Sequence, residues 1–183
     1  MAYRPTRLRL LYFAYSADMH PDQIRERCDA PELVGRARLD GYRLSFHGRS
    51  RVWDGGQETV TPDPGSEVHG ILYRLSVSDF DRLDIWQGVR IDGGGSYFHS
   101  PVDVMDEQGH SHDALIYRKA VVGEPAPPSH DYLRHLVAAA TARELSPAYI
   151  AALVALPSRP ADYPVPREDL TATALLSGMS CAC

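Results

Sequence analysis

Five residues, Tyr15, Ser16, Ala17, Asp18 and Met19, stand where an apolar run gives way to a helical pattern, a position suited to holding an anion. Leu8 to Tyr15, with only Arg9 charged, predicts a buried strand, and Pro21 to Cys28 predicts a short surface helix with Ile24 turned inward. A tight strand-to-helix turn exposes successive backbone N–H groups, and the following helix adds its positive end. A carboxylate or an oxyanion is the expected guest. An ordinary first strand entering its first helix has the same outline, so the turn alone names no reaction.

The other reactive side chains form no comparable grouping. The eight histidines repeat no metal-ligand spacing, and His110-Ser111-His112 falls on a predicted hairpin tip, so no metal is expected. His69 lies on an apolar strand, where packing is the expected role. Cys28, Cys181 and Cys183 make no disulfide framework, which fits a reducing cytoplasm.

The elements that must position the turn follow from periodicity and punctuation. Ala37–Phe46 alternates around Gly41 and predicts a strand with a bend. Gly48–Gly56 predicts a loop carrying Trp53, then come a short strand Gln57–Thr61, a turn at Pro62-Asp63-Pro64-Gly65 and a buried strand Val68–Leu75. Ser76 or Ser78 caps a short helix through Leu83. Val102–Met105 and Ala114–Tyr117 form two arms of a hairpin. Ser129 caps a helix through Leu145, and Ser146-Pro147 opens a second one to about Leu156. Strands come first and helices late, which predicts an α+β fold with a mainly antiparallel sheet. The expected division is one domain over 1–160 and a Pro-rich C-terminal extension, partly disordered, over 161–183.

Bulk properties narrow the function. A length of 183 residues suits one domain with a real core. A net charge of −5 argues against a nucleic-acid partner, and no apolar run is long enough for a membrane span. A cytoplasmic monomer or homodimer acting on a small molecule is the expectation.

Four stretches together resemble one family. Tyr12-Phe13-Ala14-Tyr15-Ser16-Ala17-Asp18-Met19 is similar to the YFAYGSN(M/L) signature of γ-glutamylcyclotransferases. Trp53-Asp54-Gly55-Gly56 with Glu67-Val68-His69-Gly70 resembles the family's W-x-G-G and V-W-G segments, and Leu83-Asp84-Ile85-Trp86-Gln87-Gly88-Val89 resembles LDxxEGV. Ala126-Pro127-Pro128-Ser129 to Tyr132 resembles the APPSxxY helix start. The resemblance implies a small mixed β-barrel with surrounding helices. It also implies an enzyme, a lyase or acyl transferase, that releases a γ-glutamyl group as 5-oxoproline and uses no cofactor. In that reaction the substrate's own α-amine attacks its side-chain amide, so holding a bent substrate and moving one proton are the protein's tasks. By the same resemblance Tyr15 to Met19 hold the γ-glutamyl moiety, Tyr97, Tyr117 and Tyr132 line the pocket, and Gln87 takes the place of the catalytic glutamate.

The departures fall on the chemistry. Ser16, Ala17 and Asp18 replace Gly, Ser and Asn, and Ser16 would be strained if the turn needs a positive φ there. Gln87 cannot accept a proton near neutral pH, and loss of a general base costs about 10²–10⁴ in rate. Glu58, where the family has Ala, is a candidate replacement carboxylate. The alternatives are a poor cyclotransferase, related acyl or amide chemistry using Glu58 or Asp18, a site altered at Gln87 to trap a ligand, and a binding pseudoenzyme. The joint change at Ser16, Ala17 and Asp18 favours natural divergence.

Overall fold

The computed structural model describes residues 8–167, so Cys181 and Cys183 and most of the predicted extension lie outside the described residues. Five strands, β1 (Arg9–Ala14), β2 (Glu32–Ser50), β3 (Gly55–Ser76), β4 (Tyr97–Asp106) and β5 (Ser111–Lys119), close a barrel in the order β1-β3-β2-β4-β5. All neighbours pair antiparallel except β1 and β5, which close the barrel in parallel at Tyr12 and Leu115. The four α-helices are α1 (Pro21–Arg27), α2 (Val77–Gln87), α3 (His130–Ala142) and α4 (Pro147–Val154). The fold is the α+β, mixed and mainly antiparallel barrel that the sequence predicts. No helix among the described residues is long and apolar enough to cross a membrane.

The inward faces follow from the alternation along the strands. Phe13, Leu39, Val60, Val68, Leu72, Val104 and Ile116 fill one cluster, and Tyr12, Ile71, Tyr73, Leu75, Phe80, Leu83 and Tyr117 fill a second, under the helices. Capping sets the helices. Ser76 and Asp79 form a reciprocal capping box at the start of α2, and Gly88, left-handed at φ 64°, ends it directly after Gln87. Ser129 accepts from the Tyr132 amide and Ser146 from the Tyr149 amide, as their positions predict.

The main departure is the length of the β2–β3 hairpin. Where the sequence predicts a loop at Gly48–Gly56 and a turn at Pro62–Gly65, β2 and β3 run as two long strands joined at residues 51–54. Pro62–Gly65 does not reverse the chain. It is absorbed as an irregularity between the Asp40–Glu67 and Tyr42–Pro62 pairs, where Gly41 (φ 77°) and Gly65 (φ 95°) supply the unusual dihedrals. Past this point the hairpin reaches beyond the Val68–Leu75 stretch and carries Glu58 with it.

Two glycines let the next layer close on the hairpin. A Cβ at Gly55 would strike the Ser129 amide and one at Gly56 the Ala126 carbonyl. Segment 124–128 therefore lies directly on the hairpin, with Gly56 donating to the Pro127 carbonyl (2.9 Å) and Ala126 to the Phe46 carbonyl (3.1 Å). This contact starts α3 and lays Tyr132 against Phe46 and Trp53.

Candidate active site

Residues 16–19 form the sharp turn that the apolar-to-polar switch predicts: β1 ends at Ala14, and Ala17–Met19 make one turn of 3₁₀ helix before α1. Ser16 stands at its N-cap with φ −133°, so this turn does not call for the positive φ that would favour glycine there. Its hydroxyl makes no cap bond to the turn. It lies instead close enough to the Glu58 carboxylate to lower its pKa. The first amides of such a turn have no intrahelical partner, which suits them to an anion.

Two carboxylates flank this turn. Glu58, half-buried on β3, is crowded by Ser16 and by the Tyr132 hydroxyl, while Tyr97 donates to the Glu58 backbone carbonyl at 2.7 Å. Crowding by protein atoms raises the Glu58 carboxyl above its ordinary value of 4.5, and the charge of Asp18 pushes the same way. Hydrogen bonds from Tyr132, Ser16 and its own amide oppose this without overcoming it. Tyr132 and Tyr97 are in turn pushed well above the usual tyrosine range, by burial first and by Glu58 second.

Asp18 is held very differently. It is fully buried and accepts four hydrogen bonds: from Arg27 (2.7 Å) and Gln23 (3.3 Å) at Oδ1, and from the Tyr12 hydroxyl (2.8 Å) and Gln87 Nε2 (3.2 Å) at Oδ2. Two donors on each oxygen use the carboxylate's accepting capacity. Arg27 also lies over the Trp86 ring at 4.6 Å, so the guanidinium is held between a carboxylate and an aromatic face.

The remaining residues named from sequence divide between these centres and the core. Tyr15 donates to the Tyr117 backbone carbonyl and feels the charge of Glu58. Ala17 packs with Tyr132 and Leu136. Met19 is buried in the core, and its carbonyl accepts from Arg143 Nε at 2.8 Å. The Tyr117 hydroxyl donates to Asp84 (2.7 Å), which also bonds His99 (2.6 Å), so it hydrogen-bonds neither Glu58 nor Asp18. The structure thus brings Ser16, Tyr97 and Tyr132 to Glu58, and Gln87 to Asp18, with the charge of Asp18 felt at Glu58.

Sequence reasoning missed Tyr12, Gln23 and Arg27. It also missed a ladder of rings bordering the site: His20 on His135 (5.5 Å), His135 on Trp53 (5.3 Å) and Trp53 on Tyr132 (5.2 Å). Tyr12 lay within the signature stretch, and Arg27 follows the inward Ile24 by three residues, a spacing that puts both on one face of α1. Two clefts, about 580 Å³ beside His130, Arg134 and Tyr163 and about 290 Å³ beside Arg36, Ile71 and Arg143, share no lining residue with the site. Among the described residues no three His, Cys, Asp or Glu side chains converge as metal ligands.

Comparison with known proteins meets this geometry from outside. The profile of the AIG2-like family matches residues 67–153. The γ-glutamylcyclotransferase of Homo sapiens is 30% identical over 163 residues, covering 87% of this chain and 84% of that protein. The Bos taurus γ-glutamylcyclotransferase is 31% identical over 126 residues, covering 67% of this chain and 65% of that protein. A solved γ-glutamyl cyclotransferase superposes with a TM-score of 0.80 at 27% identity, over 93% of this chain and 99% of that one. With nearly a third of residues identical across most of both proteins and the barrel shared, this chain belongs to the γ-glutamylcyclotransferase family.

Proposed function

We propose that the protein is a γ-glutamylcyclotransferase whose general base is Glu58, not the residue at position 87. The observation that carries this reading is the environment of Glu58. It is a half-buried carboxylate with a raised pKa, beside the signature turn, in contact with two hydroxyls and retaining some solvent access. A raised carboxyl is a stronger base and is better matched to a proton transfer near neutrality. Asp18, the other acid, has its accepting capacity filled by four donors.

In the proposed reaction the γ-glutamyl group binds bent, its anionic end at the Ala17 and Asp18 amides, since the Met19 amide is taken by the Ser16 carbonyl (3.0 Å). Glu58 takes a proton from the α-ammonium. The freed amine attacks the side-chain amide carbon, a C–N bond forms and closes the five-membered lactam, and the C–N bond to the leaving amine breaks. The proton held by Glu58 passes to that amine, so 5-oxoproline and a free amine leave and the carboxylate is regenerated. Holding the two reacting ends together supplies much of the rate, since intramolecular near-attack geometry is worth several orders of magnitude. Tyr132 and Tyr97 hold Glu58 from the side chain and the backbone respectively. The substrate is a small γ-glutamyl amine or amide, and the reaction calls on no cofactor and no nucleic-acid or membrane partner.

The test is incubation of the protein and its Glu58→Gln variant with a panel of γ-glutamyl compounds, with 5-oxoproline followed by mass spectrometry. Release by the parent protein and a loss of about 10²–10⁴ in the variant are expected. Ligand binding with no release by either would mark a binding protein that has lost its base.

A further inference from the structure

The contact between Asp18 and Gln87 has an implication beyond the identity of the base. Asp18 can only accept, so its Oδ2 turns the Gln87 amide with Nε2 toward it (3.2 Å). Gln87 is the last residue of α2, pinned by the left-handed Gly88, and is only partly buried. Its Oε1 meets no protein donor among the described residues and is left as an oriented, unfilled acceptor beside the turn. Asp18 is itself fixed by Tyr12, Arg27 and Gln23. The arrangement contains one carboxylate and one carboxamide, with Arg27 to balance the single charge. The YGSN and LDxxEGV patterns that this chain resembles contain the same two groups in exchanged places, an amide at the first position and an acid at the second.

We propose that Asp18 and Gln87 work as one exchangeable acid–amide unit, in which Asp18 is a positioning residue and the Gln87 carbonyl oxygen receives the α-ammonium of the substrate. The identity of that substrate rests on the function proposed above. The carboxylate can stand at either position but not at both. A glutamate at 87 beside an unchanged Asp18 would lose the bridging N–H and bring two carboxylates together, with the one arginine bonded at the far oxygen of Asp18, where both cannot stay ionised cheaply. Replacing Asp18 by asparagine at the same time restores one acid, one amide and one charge.

The experiment is a cycle of four proteins: the parent, Asp18→Asn, Gln87→Glu and the double variant, each measured for kcat, KM and melting temperature with one competent γ-glutamyl substrate. Each single change is expected to lower kcat/KM by about tenfold or more, and the double variant to recover to within a few-fold of the parent, a coupling typical of directly bonded side chains. Gln87→Met, which keeps the shape and removes the acceptor, should raise KM with little change in kcat, because Gln87 binds and does not transfer the proton. Additive losses, or a gain in rate from Gln87→Glu alone, would overturn the proposal. If the parent protein releases no 5-oxoproline, the proposed function falls, yet the pair is still decided by melting. Recovery of the Gln87→Glu loss by Asp18→Asn supports the exchange, and additive melting shifts reject it.

Discussion

Asp54 and Glu58 lie four residues apart on the same hairpin and are treated in opposite ways. Asp54, at φ 51°, has no solvent access and is gripped by the Arg49 guanidinium (Nε to Oδ1, 2.7 Å), by Arg159 (3.1 Å) and by the Asp162 amide (2.5 Å). Burial alone would raise its carboxyl, but the Asp162 amide and the two guanidiniums outweigh it and lower it below 3.8. The grip ties the hairpin tip to residues 159–167, with Tyr163 donating to the Arg51 carbonyl (2.7 Å) and Arg167 to the Val52 carbonyl (2.9 Å). Glu58 is influenced by two hydroxyls and, among the described residues, is bonded by no cation, and its carboxyl rises. A carboxylate saturated by cations is a fastener, whereas one given only weak donors in a crowded place keeps a basic lone pair.

The lowered Asp54 carboxyl contributes stability that is present above the unfolded value and lost as pH falls through its folded value. Glu58 behaves in reverse. Its folded form holds a proton more tightly than the unfolded chain, so it disfavours the fold as pH rises from 4.5 through its raised value.

The contrast can be broken at either end. Glu58→Gln should remove about 10²–10⁴ of kcat/KM while melting at or above the parent temperature, since a crowded carboxylate is replaced by a neutral isostere. Asp54→Ala should do the opposite. Its kcat stays within a few-fold of the parent, while amide exchange at Asp162 and Arg167 quickens and proteases cut sooner within 159–167, as expected for a segment whose anchor is gone. A smaller effect sharpens the comparison further. The Tyr132 hydroxyl lowers the Glu58 carboxyl, so Tyr132→Phe should move the acid limb of the rate profile to higher pH and leave the slope unchanged.

Much of the barrel was legible in sequence because its signals are local. The apolar run of β1, the caps at Ser76, Ser129 and Ser146, and the β4–β5 hairpin each depend on residues a few positions apart. The β2–β3 hairpin was not, because Pro62–Gly65 carries the residues of a turn and only the strand pairs on either side, Asp40–Glu67 and Tyr42–Pro62, make them an irregularity within the sheet. The same distinction runs through the site. The Ser16–Met19 turn showed itself as a change of composition along the chain, and Glu58 as a departure from a resembled pattern. The partners of Asp18 come from β1, α1 and α2, and Tyr132 reaches Glu58 only because Gly55 and Gly56 admit segment 124–128. No periodicity records such meetings.

The central claim is that the catalytic proton resides on Glu58. The dependence of kcat/KM on pH for the parent protein and Glu58→Gln, with one γ-glutamyl substrate, tests it most directly. For the parent the rate should rise with pH through a single acid limb lying above the ordinary glutamate value of 4.5, as the carboxyl loses its proton and becomes the base. For Glu58→Gln the residual rate should be lower by about 10²-fold or more and should lack that limb. A variant that keeps both the rate and the limb would contradict the account, and would place the base elsewhere.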